Sequence, residues 1–218
     1  MTAGLKVGVL ISGRGSNLQA LIDACETANF PASIVLVISN NRGAAGLRRA
    51  EAAGIATAVI DHREYPDRRS FDDALDSKLR AAGAEIVCLA GFMRLLTAEF
   101  VEGWNDRVLN VHPSLLPAFK GLHAQRDALE AGVKLAGCTV HVVRPAMDSG
   151  PIIAQAAVPV LTGDDEDTLA ARILEMEHVI YPLALRLIAE GRVKIAGTVA
   201  ETTGTAPNPA ALVNPSGE

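Results

Sequence analysis

Residues 5–21 read LKVGVLISGRGSNLQAL, and this stretch decides the fold. Leu5 to Ile11 is a nearly continuous apolar run with β-branched members, which is typical of a strand buried on both faces of a parallel sheet. A loop with two glycines follows at Ser12 to Asn17. Four apolar residues then recur at the three- and four-residue steps of an amphipathic helix, namely Leu18, Leu21, Ile22 and Cys25. The stretch therefore predicts a strand, a glycine-rich loop and a helix.

The glycine-rich loop is a candidate anion site. N–H groups at the start of a helix have no partner within the helix, and the helix dipole favours a negative charge there. Gly15, Ser16 and Asn17 lie where the helix is predicted to begin. The alternative interpretation is a tight strand-to-helix turn that needs glycine only for steric reasons.

The alternation of strand and helix continues along the chain. Ile34 to Ile38, Ala56 to Ile60 and Glu85 to Ala90 are further apolar runs separated by helical patterns. We therefore predict an α/β protein with a Rossmann-like, doubly wound, mostly parallel sheet and helices on both faces. The dinucleotide-binding fingerprint fits poorly, because Leu18 stands at its third glycine and Ser39-Asn40-Asn41 follows the second strand in place of an acidic residue.

The carboxyl-terminal third adds two strands and one long helix. Cys138 to Val143 and Ile152 to Val158 predict the strands, and an apolar stripe from Leu169 to Leu187 predicts the helix. After Ala196 the chain consists mainly of small and polar residues, a composition that buries little apolar surface. We expect a single domain over residues 1–197 and a loosely ordered tail over residues 198–218.

Composition and charge favour a small molecule over nucleic acid as the partner of this protein. The 218 residues are 49% hydrophobic, and the formal net charge of -5 argues against a surface that coats nucleic acid. Three cysteines, Cys25, Cys88 and Cys138, lie in apolar surroundings without metal-ligand spacing, so we expect reduced thiols and a cytoplasmic protein. The amino terminus predicts neither an export signal nor a membrane span.

The stretch VLNVHPSLLP, Val108 to Pro117, carries the strongest candidate chemistry. A strand predicted from Arg107 to Val111 would present Asn110 and His112 on one face, since residues two apart point the same way. The amide is a neutral hydrogen-bond donor, and imidazole carries protons near neutral pH. An ordinary strand-end histidine in a turn is the alternative. The sequence leaves open whether the peptide bonds before the two prolines are cis or trans.

Three other features are ambiguous when taken singly. The apolar loop Gly91 to Leu96 either lines a ligand pocket or packs under a helix. Asp148, in a turn rich in glycine and proline, is either a positioned base or a cap of that turn. Glu177 and His178 lie beside the apolar stripe of the long helix, where a solvated position is the ordinary expectation.

Together these motifs resemble the folate-dependent phosphoribosylglycinamide formyltransferases of purine synthesis. The similarity covers nearly the whole chain except the tail. The HPSLLP loop is shared by other enzymes that use 10-formyltetrahydrofolate, so it indicates the co-substrate. The SGRGSN loop restricts the choice of the second substrate. The five matching segments, in chain order, are LISGRGSNLQAL (Leu10 to Leu21), LAGFMRLL (Leu89 to Leu96), LNVHPSLLP (Leu109 to Pro117), MDSGPII (Met147 to Ile153) and EHVIYP (Glu177 to Pro182).

The resemblance implies a role for each matching residue. The family's catalytic trio corresponds to Asn110, His112 and Asp148. The residues that would bind glycinamide ribonucleotide are Gly15, Ser16, Asn17 and Glu177. Those that would bind the folate are Arg68, Met93, Arg94, Leu95, Leu96, Asn110, Arg144, Pro145, Ala146, Met147 and Asp148. Because Arg69 adjoins Arg68, the sequence leaves open which of the two faces the folate.

The implied reaction is formyl transfer in de novo purine biosynthesis. The primary amine of glycinamide ribonucleotide would attack the formyl group of 10-formyltetrahydrofolate directly, through a tetrahedral intermediate and without a metal. Asn110 and protonated His112 would bind the developing oxyanion, while Asp148 would support the imidazolium and help to move the proton. The partners would be these two small molecules, with no nucleic acid and no membrane. A monomer and a homodimer remain open.

Three alternatives are weighed against this function. Methionyl-tRNA formyltransferases need an additional carboxyl-terminal domain for tRNA, and formyltetrahydrofolate deformylases carry an extra amino-terminal domain. We expect neither of these additional domains, since this chain starts at its first strand and ends soon after its last helix. A non-catalytic nucleotide- or folate-binding module would have no use for Asn110, His112 and Asp148 together. Hydrolysis of the formyl-folate remains the main competing activity.

Overall fold

The computed structural model describes residues 4–204 and residue 214. The strands are β1 (Leu5–Ile11), β2 (Ala32–Ser39), β3 (Thr57–Val59), β4 (Ile86–Leu89), β5 (Val108–His112), β6 (Leu135–Val142), β7 (Ile152–Pro159), β8 (Val193–Ala196) and β9 (Val199–Thr202). The α-helices are α1 (Ser16–Glu26), α2 (Ala45–Ala52), α3 (Arg68–Ala81), α4 (Ala98–Trp104), α5 (Ala124–Glu130) and α6 (Glu166–Ala189), and a 3-10 helix spans His62–Glu64.

The main sheet confirms the predicted fold class. Its seven strands lie in the order β3-β2-β1-β4-β5-β6-β7, and the first five in this order are parallel. β6 and β7 are antiparallel to their neighbours. Starting from the centre of the sheet, β1 to β3 follow one another towards one edge, and β4 to β7 follow one another towards the opposite edge. The crevice between the carboxyl ends of β1 and β4 is therefore the place where open α/β sheets bind ligands.

Helices cover both faces of this sheet and bury two apolar layers. Val7, Val9 and Ile11 of β1 pack in one layer with residues of α1, α2 and α6. Leu10 packs in the opposite layer with residues of α3 and α4. The strand period of two residues divides the apolar run of β1 between the two layers. This explains why that run is almost uninterrupted in the sequence.

α6 forms as one long helix, as the apolar stripe predicts. Asp165 caps its amino terminus in a capping box with Thr168, so two otherwise unpaired backbone N–H groups are satisfied. Pro182 lies within the helix, which continues to Ala189, and Gly191 follows with a positive φ of 68°. Among the described residues, no helix is both long and apolar enough to cross a membrane.

The expected tail begins with a strand, which corrects part of that prediction. Residues 199–202 form β9 and pair with β8 in an antiparallel hairpin. The backbone N–H of Thr203 also donates to the carbonyl oxygen of Arg192. Sequence composition missed this strand because it has only four residues and its backbone pairing depends on the preceding β8. Most of the remaining tail lies outside the described residues.

Candidate active site

The site is built around β5 and β6, which pair side by side. Asn110 lies opposite His141, and His112 lies opposite Thr139, in the antiparallel register of the two strands. The amide Nδ2 of Asn110 is 3.3 Å from Nε2 of His141. Asp148 reaches both histidines, with Oδ2 3.6 Å from Nδ1 of His112 and Oδ1 3.8 Å from Nε2 of His141. The three residues of the predicted trio therefore lie in one cluster.

His141 belongs to this cluster, and sequence reasoning missed it. Its Nδ1 lies 3.0 Å from the carbonyl oxygen of Val142, so the neutral ring carries its proton there and donates it. Nε2 is then an acceptor for the amide of Asn110. Burial lowers the pKa of His141, which favours this neutral form. The available signal was one polar side chain within the apolar run CTVHVV.

Hydrogen bonds hold the ring of His112 and the loop after it. Nε2 of His112 lies 2.9 Å from the carbonyl oxygen of Phe119 and donates to it, which leaves Nδ1 facing Asp148. Thr139 ties the start of the loop to β6, since its hydroxyl donates to the Ser114 carbonyl oxygen and accepts from the Leu116 N–H. The peptide bond between Leu116 and Pro117 is cis.

Asp148 is held in place by its own turn and by a neighbouring loop. Its backbone has a φ of 48°, a conformation that aspartate tolerates better than most residues. The backbone N–H of Gly121 donates to Oδ2 at 3.0 Å. Two residues after Asp148, position 150 requires glycine, because a Cβ there would lie 1.7 Å from the carbonyl oxygen of Val142. The turn can therefore approach β6 closely enough for Asp148 to reach the histidines.

The glycine-rich loop places a free helix N-terminus at the carboxyl end of β1. Gly15 precedes α1 with a φ of 72°, and a Cβ there would lie 2.6 Å from the Cα of Gly46. No side chain caps the N-terminus of α1, so its first N–H groups can receive a ligand. Arg49 steadies the loop, since its Nε donates to the carbonyl oxygen of Arg14.

Glu177 lies against this helix N-terminus, so its expected solvated position is wrong. The side-chain amide of Asn17 donates to Oε2 of Glu177 at 2.7 Å, and Glu177 is only 6% exposed. Burial raises the pKa of Glu177, while the hydrogen bond from Asn17 opposes that shift. Oδ1 of Asn17 is buried and lacks a hydrogen-bond partner among the described residues. His178, beside them, is partly buried.

The apolar loop after β4 lies next to the glycine-rich loop. The backbone N–H of Met93 donates to the hydroxyl of Ser12 at 2.8 Å. Phe92 and Leu96 pack against the second apolar layer, whereas Met93 and Leu95 are 67% and 59% exposed. Phe92 and Leu96 thus fit the interpretation of a packed loop, whereas the ligand-pocket interpretation of Met93 and Leu95 stays a prediction. Exposed apolar side chains at a crevice suit the flat apolar body of a ligand.

The remaining predicted folate-side residues are mostly exposed and lie on three segments of the chain. Arg68 and Arg69 are both exposed at the start of α3. Arg94 is exposed in the loop after β4. Within the β6–β7 turn, Arg144 pairs with Asp106, whereas the side chains of Pro145, Ala146 and Met147 are exposed. In the part of the chain that the structure describes, no cluster of side chains is suited to hold a metal.

Comparison with known proteins identifies the family. The family model described as formyl transferase matches residues 5–185. Phosphoribosylglycinamide formyltransferase of Escherichia coli (strain K12) is 46% identical over 191 residues, which are 88% of this chain and 90% of that protein. Trifunctional purine biosynthetic protein adenosine-3 of Gallus gallus is 52% identical over 194 residues, 89% of this chain, but this match spans only 19% of that protein.

Solved structures agree with the sequence relatives. Glycinamide ribonucleotide transformylase 1 from Symbiobacterium toebii superposes with a TM-score of 0.91 and 51% identity, and the match covers 93% of this chain and 95% of that one. Phosphoribosylglycinamide formyltransferase from Brucella melitensis gives a TM-score of 0.82 at 52% identity, covering 88% of this chain and 100% of that one. The resemblance seen in the five sequence motifs is thereby confirmed, and the chain belongs to the formyl transferase family.

Proposed function

We propose that this chain transfers the formyl group of 10-formyltetrahydrofolate to the primary amine of glycinamide ribonucleotide in purine biosynthesis. The observation that carries the proposal is the cluster of Asn110, His112, His141 and Asp148 beside β5. The cluster offers an amide donor, an imidazole and a carboxylate to one small group. An acyl transfer to an amine needs an oxyanion donor and a route for the proton.

The helix N-terminus at α1 would bind the ribonucleotide. Its phosphate would accept hydrogen bonds from the backbone N–H groups of Gly15, Ser16 and Asn17. The carboxylate of Glu177, held by Asn17, would accept hydrogen bonds from the ribose hydroxyl groups. Binding energy far from the reacting amine would thus position that amine in the crevice.

The folate would lie between the loop after β4 and the β6–β7 turn. Its flat ring system would contact the apolar side chains of Met93, Leu95 and Met147, all of which are more than half exposed here. A cation at the start of α3, Arg68 or Arg69, would attract its carboxylates. The co-substrate would supply an activated formyl carbon, and Asn110, His112 and Asp148 would act on that group.

Asn110 and His112 would stabilise the negative charge that develops on the formyl oxygen. Neutral His141 accepts one amide hydrogen of Asn110, so the other hydrogen is free to be donated to that oxygen. Nε2–H of His112 now donates to the Phe119 carbonyl oxygen, and the formyl oxygen would replace that acceptor. Donors that are already oriented need no reorganisation as the charge develops.

Asp148 would manage the proton of the attacking amine. It faces Nδ1 of His112, where a carboxylate supports the protonated ring. The amine loses a proton when its nitrogen bonds to the formyl carbon, and the departing folate nitrogen gains one. A carboxylate beside both groups can accept the first proton and return it, directly or through water.

The deciding assay is the formation of formylglycinamide ribonucleotide from glycinamide ribonucleotide and 10-formyltetrahydrofolate. We expect product formation with one equivalent of released tetrahydrofolate per formylated amine. Release of formate without formylation of the amine would contradict the transferase proposal and establish the hydrolase. Binding of both ligands without either reaction would leave only a non-catalytic module.

The proposal extends to the setting of the enzyme. We propose that it works in the cytoplasm on these two small molecules, with no metal and no nucleic acid as partners. Its free cysteines, Cys25, Cys88 and Cys138, are consistent with a reducing compartment. Burial raises the pKa of the Cys25 thiol to about 11, which keeps this group unreactive at neutral pH.

A further inference from the structure

The turn between β6 and β7, residues 143–151, carries Asp148 to the histidines. It starts at the amino end of β5, where the Val143 N–H donates to the Val108 carbonyl oxygen at 2.8 Å. It then folds back so that the Asp148 carboxylate lies 3.6 Å from His112. The side chains of residues 145–147 are exposed in between. The position of Asp148 therefore depends on how firmly the base of this turn is held.

One ion pair joins the base of the turn to a different element. The guanidinium of Arg144 donates to the carboxylate of Asp106, which lies in the connection between α4 and β5. Inside the turn, the Ser149 hydroxyl donates to the Ala146 carbonyl oxygen, so that bond links the turn only to itself. Apart from the contacts of Asp148, the Arg144–Asp106 pair is the salt bridge that ties the described turn to its surroundings.

The backbone constrains Asp106, and Arg144 lies close to the end of a strand. Asn105 and Asp106 have φ values of 29° and 60°, so two successive residues occupy a conformation that few side chains tolerate. Asp106 stands two residues before β5, and Arg144 stands two residues after β6. The pair therefore bridges the ends of two paired strands, one of which carries Asn110 and His112.

We propose that the Arg144–Asp106 ion pair is a positioning element for the β6–β7 turn, which keeps Asp148 against His112 and keeps the folate-facing residues 145–147 in place. Arg144 acts through Asp148 and the backbone of the turn, and its guanidinium does not touch the reacting atoms. The kinetic consequences rest on the proposed function, whereas the anchoring of the turn does not.

Asp106→Asn is the sharpest single test. Asparagine keeps the shape of the side chain and tolerates a positive φ, but it removes the charge that holds Arg144. In the ligand-free protein, the amides of residues 146–149 should exchange with solvent about three- to fivefold faster, the factor expected from a partly exposed ion pair. KM for the folate should rise by a similar factor and kcat should fall, while KM for the ribonucleotide stays unchanged.

Variants of Arg144 separate positioning from direct contact with the folate. Arg144→Gln should reproduce the Asp106→Asn effects, and the double variant should be no worse than either single one, because both remove one interaction. Arg144→Lys keeps the charge and should recover most of the folate affinity. A rise in folate KM for Arg144→Gln, with Asp106→Asn unchanged, would overturn the proposal in favour of direct contact.

Glu190→Ala is the matched control. Glu190 and Arg192 form an ion pair with side chains 30% and 32% exposed, close to the 36% and 30% of Asp106 and Arg144. This variant should leave turn exchange and folate KM unchanged. Unchanged exchange in Asp106→Asn, in an enzyme that formylates normally, would overturn the anchoring. If the turn amides exchange faster in Asp106→Asn but the correctly folded wild-type protein never formylates the amine, the anchoring stands and the proposed function is overturned.

Discussion

In the proposed reaction, His112 and Asp148 would handle one proton together, since Nδ1 of His112 lies 3.6 Å from Oδ2 of Asp148. His112 keeps Nδ1 towards the carboxylate because its Nε2 already donates to Phe119. Replacement of either side chain should therefore damage the chemical step more than binding, since neither residue supplies the main contacts to the phosphate or the folate rings.

We expect His112→Ala and Asp148→Asn each to lower kcat by about 100-fold or more, the range seen when a single oxyanion donor or its support is lost. The dissociation constants of both ligands should change much less. Steady-state kinetics with titration of each ligand measure this split. His123→Ala, at an exposed histidine nearby in the sequence, serves as the control. Near-wild-type turnover in either site variant would remove that residue from its role.

At Glu177, burial lowers stability at a residue that we propose binds the ribonucleotide. Burial raises the pKa of its carboxyl above the ordinary value of 4.5, so the folded protein holds this proton more tightly than the unfolded chain does. Stability therefore falls as the pH rises from about 4.5 through the folded-state pKa, and the loss persists at higher pH. The proposed contact with the ribose hydroxyl groups would use the carboxylate form, which is the form that burial destabilises.

Glu177→Gln should separate these two effects. Above neutral pH the variant should melt at a higher temperature than the wild type, and the difference should shrink towards pH 4.5. Its KM for the ribonucleotide should rise by about fivefold, because hydrogen bonds to a neutral amide are weaker than those to a carboxylate. Melting curves across pH and initial rates test both. Glu175→Gln, an exposed neighbour on α6, should do neither. A variant that melts lower than the wild type at every pH would contradict the argument.

Single residues could be predicted where the local pattern determines their surroundings. Asn110 and His112 lie on one face of a strand because residues two apart always do. His141 could not be predicted in the same way, since its partners come from β5 and from the distant Asp148. Glu177 shows the opposite case, in which helix periodicity indicated solvent and packing of α6 against α1 buried the side chain.

At the scale of elements, Ser12 connects the two loops that we propose bind the ligands. Its hydroxyl accepts the N–H of Met93, and its own N–H donates to the carbonyl oxygen of Gly91 at 3.2 Å. Ser12 begins the loop that would bind the phosphate, and Met93 belongs to the loop that would contact the folate. Order imposed on one loop by its ligand should therefore favour the ligand-bound arrangement of the other.

Ser12→Ala should weaken this coupling. One neutral hydrogen bond contributes about 1 kcal/mol, so the factor by which each ligand tightens the other should drop by up to about fivefold. The affinity of each ligand alone should change less. Calorimetric titration of each ligand in the absence and presence of the other completes the thermodynamic cycle. Ser12→Thr keeps a hydroxyl and should keep the coupling. Equal coupling factors in wild type and Ser12→Ala would show that the loops act independently.

At the scale of the whole molecule, fold and site have different sources in the sequence. Apolar runs determine the layers. A run such as Leu5–Ile11 suits a strand buried on both faces, and the α6 stripe suits a helix packed on one face of the sheet. The site needs contacts between residues that lie far apart in the chain, such as Asn17 with Glu177. Periodicity does not encode such contacts, and the motifs matched to the family were required to group these residues.

The β8–β9 hairpin predicts that the folded domain extends beyond residue 197. A chain ending at Gly204 keeps β9 and the hydrogen bond of Thr203, whereas a chain ending at Gly197 leaves β8 unpaired. Loss of these backbone hydrogen bonds should cost about 2 kcal/mol. The shorter chain should therefore melt about 4–8 °C below the longer one.

The chain ending at Gly204 loses the two hydrogen bonds that the described residue Asn214 makes. The side-chain amide of Asn214 donates to the carbonyl oxygens of Lys134 and Val160, and Asn214→Ala in the full chain measures that contribution separately. Both truncated chains should retain kcat, because the hairpin supplies no group to the cluster around Asp148. If the two truncated chains melt at the same temperature, the folded domain ends at residue 197. If only the shorter chain has a lower kcat, the hairpin contributes to the site.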